Sequence, residues 1–504
     1  MAGQDDSQTA PLGRLVMPAL RWSQEVGYGL GEAWVQRALE LGVPGFIVFG
    51  GSVPAVVAAT EELRRRADRP LIFASDLERG VGQQFDGAIS LPPFAAIASL
   101  DDPQIMKAAG ALSGRGAREI GIDWIFGPVA DVALEPDNPI VGTRAADTRP
   151  EPVARAVEAW IEGCLSQGAA CCAKHFPGHG RTTTDSHADL PVVDASADEL
   201  AMDRLPFERA IAAGVPSVMT AHVAFPALDP SGLPATRSAP ILGSLRAMGF
   251  DGVLVSDALI MDAVGDPLEA VVSGVGAGID LLLYPPDPVG TVEALHRARA
   301  VGALTPARLA EARRRVETLL DRFGRGPDSA RVADFPEPKD AADAALWADH
   351  SLSLSNAPAL RTVDRVRVIT FDDDLGGPYA APSRDVLLHS LMELGVPIDS
   401  TAGSGSTVNT RLSVLALYSD PRAWKGRAGV DAAVMARLIA EVDRCTALGE
   451  KALVTCFGGR RIEADLAQAL GDRECGRLLA WGGEAHMQRS VARRVARDLA
   501  RARR

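Results

Sequence analysis

The sequence predicts an α/β protein: a (β/α)8 TIM-type barrel over residues 11–323, then a smaller α/β sandwich-like C-terminal domain over residues 351–504. Three observations carry that expectation. Eight short apolar runs recur between Arg14 and Tyr284, most of them continuous Val, Ile, Leu and Phe, as strands buried on both faces should be. Amphipathic stretches separate the runs, which gives repeated β-then-α units. Polar residues stand just after several runs, where a parallel barrel carries its chemistry. A doubly wound open sheet is the other reading of the same alternation.

Taken in order, the runs cover 14–19, 45–50, 71–75, 122–129, 169–174, 217–223, 252–256 and 279–284. Helical patterns fill the intervals at 54–66, 103–120, 152–167 and 197–213, and a further helix at 306–323 closes this part of the chain. Residues 324–338, with three prolines, two glycines and mixed charge, read as a linker that leads into a helix at 341–352. The linker and most of that helix fill 324–350. Beyond them, strands are expected at 365–371, 411–418 and 452–457, with helices at 384–394 and 431–448. Gly403-Ser404-Gly405-Ser406 reads as a turn, because it matches no phosphate loop. No lysine follows a glycine, so a Walker A motif is absent, and the glycines at 27, 29 and 31 follow no predicted strand.

Composition bounds the function. The chain carries 52 Lys and Arg against 65 Asp and Glu, a net charge of −13, which argues against general nucleic-acid binding. The arginine-rich end, 488–504, has Val491, Val495 and Leu499 at helical spacing and reads as a helix with a solvated basic face. Six cysteines in 504 residues are too few for a disulfide framework, and Cys171 and Cys172 fall where a strand wants small apolar residues. The acidic, polar start lacks a signal-peptide pattern, and no apolar run reaches membrane-spanning length. A cytoplasmic protein without membrane partners is the expectation. Composition leaves the oligomeric state open.

One stretch concentrates unusual chemistry. Lys174-His175-Phe176-Pro177-Gly178-His179-Gly180-Arg181-Thr182-Thr183-Thr184-Asp185-Ser186-His187 holds three of the eight histidines and one of only five lysines. An ordinary capping loop is the plain alternative. A metal site would use His175 and His179, but Pro177, Gly178 and Gly180 break the helix that would align them, and no HExxH or CxxC completes a ligand set. No metal or cofactor is therefore expected. Catalysis fits better: Asp185, two residues before His187, can orient and charge it, while Lys174 and His175 grip a polar ligand. Asp76, Asp131, His222 and Asp257 also stand in or just after apolar runs.

Residues 174–187, with Ala188-Asp189-Leu190-Pro191-Val192 after them, resemble the signature of family 3 glycoside hydrolases. More narrowly they resemble its bacterial β-N-acetylglucosaminidase branch, which carries an Asp-Ser-His acid/base loop. The resemblance implies a retaining glycosidase acting on a small carbohydrate. Asp257, in Ser256-Asp257-Ala258-Leu259-Ile260-Met261, would be its nucleophile, His187 its acid/base and Asp185 the partner of that histidine. Asp76, Gln84, Arg144, Lys174 and His175 would contact the sugar. It also implies terminal N-acetylglucosamine on peptidoglycan fragments as the substrate.

The pattern departs from the family at one place. Where the family's acetylglucosaminidases commonly carry two arginines after the Asp76 position, this chain has Val81 and Gln84, with Arg79 nearby. Gln84 keeps hydrogen bonding but loses the charge and the fork. Two other functions fit the same motifs: a phosphorylase, in which phosphate replaces water, and a non-catalytic sugar-binding barrel.

Overall fold

The computed structural model describes residues 11–503 except 68, 185–189, 327–337, 362, 376–380, 400–410, 421–424 and 426. The chain divides into two units. One comprises Met1–Ser90, Asp102–Leu134 and Asp147–Asp340; the other takes Leu91–Asp101, Glu135–Ala146 and Ala341–Arg504.

In the first unit a parallel, curled sheet forms from β1 (Val16–Met17), β2 (Ala19–Arg21), β3 (Gly45–Phe49), β4 (Ile72–Ser75), β5 (Trp124–Ile125), β6 (Ala170–Phe176), β7 (Ser217–Thr220), β8 (Val253–Val255) and β9 (Leu282–Leu283). Strands β2 to β8 pair in sequence order, each parallel to the next. A bridge between Val255 and Leu281 continues the pairing toward β9, β9 pairs with β1, and β1 runs into β2 across Pro18. A doubly wound sheet would reverse its strand order partway, and this one does not.

Helix starts follow a repeated local rule. Asp102-Pro103, Asp266-Pro267, Asp287-Pro288 and Thr305-Pro306 each place a capping side chain on an orphan N–H and a proline in the first turn. The helix expected over 197–213 is two helices, Ala197–Asp203 and Leu205–Ala212. Pro206 explains the break, since it has no N–H to continue the ladder. Inside the sheet, Met17, Ile47, Ile72, Ala74, Trp124, Phe126, Ala170, Cys172, Met219, Val253, Val255, Leu281 and Leu283 form one apolar core. Helix Pro306–Phe323 adds Val316, Leu319, Leu320 and Phe323 to it.

Two buried carboxylates fasten the amino ends of the strands. Asp123 accepts from Arg64 (2.7 Å), Arg118 (2.8 Å), Arg325 (2.6 Å) and the Phe73 N–H (3.0 Å). Asp280 accepts from Arg246 (2.5 Å), Arg308 (2.6 Å) and the Leu254 N–H (3.0 Å).

The second unit is a five-stranded sheet, ordered β10-β14-β13-β12-β11, of β10 (Ser353–Ser355), β11 (Arg365–Asp372), β12 (Arg411–Tyr418), β13 (Lys451–Phe457) and β14 (Gly476–Leu479). Only β10 runs antiparallel to its neighbour. Strands β10 and β14 and helix Arg460–Leu470 were not expected from the sequence; β14 is short and interrupts its apolar residues with Arg477. The C-terminal helix, Ala485–Ala502, buries Met487, Val491, Val495 and Leu499. The Gly403–406 turn and most of the 324–338 linker lie outside the described residues.

Removing the carboxylate of Asp123 would leave the buried Arg64 guanidinium and the partly buried Arg118 and Arg325 without their shared counter-ion. Asp123→Ala should cost about 3–5 kcal/mol, as for other broken buried ion pairs. By calorimetry the first unit's melting temperature should fall by roughly 5–15 °C.

Candidate active site

Alternation along a buried strand decides which polar groups reach the carboxyl end of the sheet. Ile72 and Ala74 of β4 face the apolar core, and Asp76 is the next residue of that parity. Ala170 and Cys172 lead in the same way to Lys174, and Val253 and Val255 lead to Asp257. Three parallel strands thus deliver charged groups at one end of the sheet.

Lys174 is buried, its side chain 3% exposed, and its Nζ lies 2.7 Å from Asp76 Oδ1 and 2.6 Å from Glu78 Oε1. Glu78 is 7% exposed and Asp76 30%, so Glu78 is the enclosed counter-ion and Asp76 the carboxylate left open to a ligand.

Asp131, wholly buried, receives three hydrogen bonds. His175 Nδ1 lies 2.7 Å from its Oδ2, and the N–H groups of His175 (3.2 Å) and His179 (2.6 Å) donate to its Oδ1. Burial would raise the Asp131 carboxyl, but His175 and His179 outweigh it and hold it below the usual carboxylate range. The Lys174–His175 and Phe176–Pro177 peptides are both cis. Gly180 passes so close to the neighbouring chain that a Cβ would sit 1.6 Å from the Val132 carbonyl oxygen, so only glycine fits. His179 pairs through Nδ1 with Thr182 Oγ1 at 2.8 Å, and burial, aided by His175, pushes it down to about 4, leaving it neutral.

Asp257 is half-buried, and its Oδ1 accepts from the Ala258 N–H at 2.8 Å. Burial alone would raise its carboxyl. His175, His222, the Ala258 N–H and Lys174 together hold it below the ordinary range, so it is ionised at neutral pH. His222, pushed below the ordinary histidine range by burial, bonds Thr236 Oγ1 through Nδ1 (2.8 Å) and the Ala258 carbonyl through Nε2 (3.3 Å).

The other expected residues fall differently. Gln84 Oε1 takes the Gly50 N–H at 3.3 Å, which ties the Asp76 loop to the end of β3. Val81 is fully buried, so one of the positions at which the resemblance implied an arginine is apolar core here. Arg144 lies in the turn Gly142–Arg144, within the segment Glu135–Ala146 that groups with the second unit. Asp185 and His187 lie outside the described residues. Cys172 is inert, its thiol pushed up to about 12 by burial. Among the described residues, no group of three or more His, Cys, Asp and Glu converges to hold a metal ion. Sequence reasoning placed Asp131 at a strand end without a role, and held Glu78 only as a fallback acid and not as the partner of Lys174.

Ionised carboxylates, a buried lysine and paired histidines at the carboxyl ends of parallel strands define a β/α enzyme fold with its site at the strand ends. Residues 42–319 match the family described as "Glycosyl hydrolase family 3 N terminal domain", and the chain belongs to that family. A beta-hexosaminidase of Thiobacillus denitrificans is 32% identical over 331 residues, which cover 59% of this chain and 91% of that one. A "Beta-N-acetylglucosaminidase/beta-glucosidase" of Cellulomonas fimi is 29% identical over 368 residues, 68% of this chain and 65% of the relative's length. The solved structure of a family 3 β-N-acetylglucosaminidase from Paenibacillus sp. shares the fold, with a TM-score of 0.80 and 24% identity, covering 97% of this chain and 96% of that one.

Asp131→Asn keeps the size of the side chain but not its charge. With an aryl glycoside as substrate, it should lower kcat/KM by roughly 10–100-fold, the range for groups that orient a site residue. Circular dichroism should show the folded state retained. Wild-type kinetics in this variant would mean that His175 needs no carboxylate behind it.

Proposed function

We propose that the protein is a retaining, exo-acting β-N-acetylglucosaminidase. It removes terminal β-linked N-acetylglucosamine from peptidoglycan fragments in the cytoplasm, through a covalent glycosyl-aspartate on Asp257. The observation that carries this reading is Asp257 itself: an ionised carboxylate at a strand end, under the influence of His175, His222 and Lys174. The names of the hexosaminidase relatives support the choice of sugar.

Retention needs a nucleophile below C1 and a proton donor at the leaving oxygen. Asp257 attacks C1 as His187, oriented by Asp185, protonates the departing oxygen. His187 then takes a proton from water, which attacks C1 and releases Asp257. A carboxylic acid from the described loop is a poor substitute for that histidine, because Glu78 is paired with Lys174. Asp76 accepts from sugar hydroxyls, and Lys174, His175 and Gln84 complete the sugar contacts that the first unit makes. A histidine as acid/base also leaves the site open to phosphate, which is the second reading. Phosphorolysis would show as turnover that rises with phosphate and yields sugar 1-phosphate, and a sugar-binding protein would bind without turnover.

With an aryl N-acetyl-β-glucosaminide, Asp257→Ala should reduce kcat by about 10³-fold or more, as loss of a covalent route does. Near-normal turnover would remove Asp257 from the role.

His187→Ala tests the proton. General acid–base help is worth about 10²–10⁴-fold, so poor leaving groups should suffer losses of that size. Very acidic phenols need little protonation, so their glycosylation step should be partly spared and a burst of phenol should precede slow turnover. A uniform loss across the leaving-group series would mean that His187 positions the sugar and moves no proton.

A further inference from the structure

The parity that delivers Asp76, Lys174 and Asp257 also delivers an arginine. Met17 belongs to the interior core, Ala19 packs against it, and Arg21 is the next residue on that face, the last of β2. Arg21 therefore stands at the same end of the same parallel sheet as Asp257. Its neighbours hold it in place. The guanidinium lies 4.4 Å from the ring centre of Phe49, the last residue of β3, and 5.2 Å from that of Tyr284, which follows β9. Arg21 Nε donates to the Tyr284 hydroxyl at 2.6 Å. Both rings rest on the interior core. The Tyr284 backbone is tied to the nucleophile segment through the preceding residue: Leu283 donates to Ser256 Oγ and accepts from the Leu259 N–H, each at 2.9 Å.

What Arg21 lacks is a carboxylate. The arginines at the amino ends of the strands converge on Asp123 and Asp280, whereas Arg21 has no ion-pair partner among the described residues and is exposed. Two terminal nitrogens on a guanidinium already fixed by two rings and a hydroxyl are a pre-organised donor pair. Such a pair matches an oxyanion in a way a free surface arginine does not.

We propose that Arg21 is an oxyanion-binding residue beside the sugar site. It takes the carboxylate of an acidic aglycone, or inorganic phosphate, on its two terminal nitrogens. It returns to the strand ends a positive charge that Val81 and Gln84 leave out of the Asp76 loop. The assignment rests on the glycosidase reading for its sugar, and not for its oxyanion.

Calorimetry on the full chain tests it without turnover. The probes are inorganic phosphate and two non-hydrolysable aryl thio-N-acetylglucosaminides, one bearing a carboxylate on the ring and one neutral. In Arg21→Met the affinity ratio of carboxylated to neutral ligand, or the affinity for phosphate, should fall by roughly 10–100-fold. The first result assigns the aglycone carboxylate and the second assigns phosphate. Tyr284→Phe, which frees Nε but keeps both rings, should move the same quantity in the same direction by less. If neither quantity differs between wild type and Arg21→Met, the proposal is overturned. Absence of turnover of any N-acetylglucosaminide by the wild type would overturn the glycosidase reading instead.

Discussion

Everything at the carboxyl end of the sheet depends on one buried carboxylate. Asp131 sits where β5 has ended and β6 is about to leave the sheet, and it gathers the His175 ring and two backbone N–H groups. Each of those N–H groups would cost about 1–3 kcal/mol if buried without an acceptor. Their shared acceptor therefore dictates the path of the chain from Lys174 to Gly180. A carboxylate enclosed this way would itself be expensive without hydrogen-bond donors on its oxygens. The His175 ring and the two N–H groups are those donors, and the same imidazole acts on Asp257. Holding the loop and holding the neighbouring carboxylate ionised are one electrostatic arrangement.

The two ends of the sheet treat charge in opposite ways. At the amino end, Asp123 and Asp280 are saturated by arginines and main-chain donors, so neither carboxylate is left open to a ligand. At the carboxyl end, Asp76 keeps partial exposure and Asp257 is half-buried with the Ala258 N–H as its near donor. Saturated buried pairs hold strands in place, whereas unsaturated carboxylates leave lone pairs for chemistry. The fold keeps the two functions a strand length apart, so the stabilising charges do not compete with the reactive ones.

How much of this could be read from the chain follows from the range of each interaction. Alternation is local, so Asp76, Lys174 and Asp257 were visible as the polar continuation of apolar runs. Capping is local too, and the Asp-Pro and Thr-Pro pairs mark helix starts. Pro206 was equally visible, and the single helix over 197–213 overlooked it. The role of Asp131 was not legible, because the residues it holds lie 44 and 48 positions away and nothing in its own neighbourhood names them. Glu78 was hidden for the same reason: its meaning is Lys174, on another strand. Strand β14 escaped because four residues with an arginine among them carry too little period to separate from loop. The acid/base pair, Asp185 and His187, is legible only as motif, since it lies outside the described residues.

The departure in the Asp76 loop can now be read physically. Val81 is core, and Gln84 uses its carbonyl to fasten the loop to Gly50, so neither position presents charge. The loop hangs from β3 and β4, while His175 in β6 is held by Asp131, and Asp257, just after β8, accepts from the Ala258 N–H. No described hydrogen bond from Gln84 or Val81 reaches Asp257 or Asp131. The loop can therefore change what it recognises without disturbing the carboxylate that would do the chemistry, which is how one scaffold comes to serve more than one sugar. Asp76 and Glu78 are the points where the two sets meet, because both belong to the loop and both pair with Lys174. A substitution at either carboxylate would alter the loop and the charge balance around Asp257 together, so at these two loop positions the effects on specificity and rate cannot be separated.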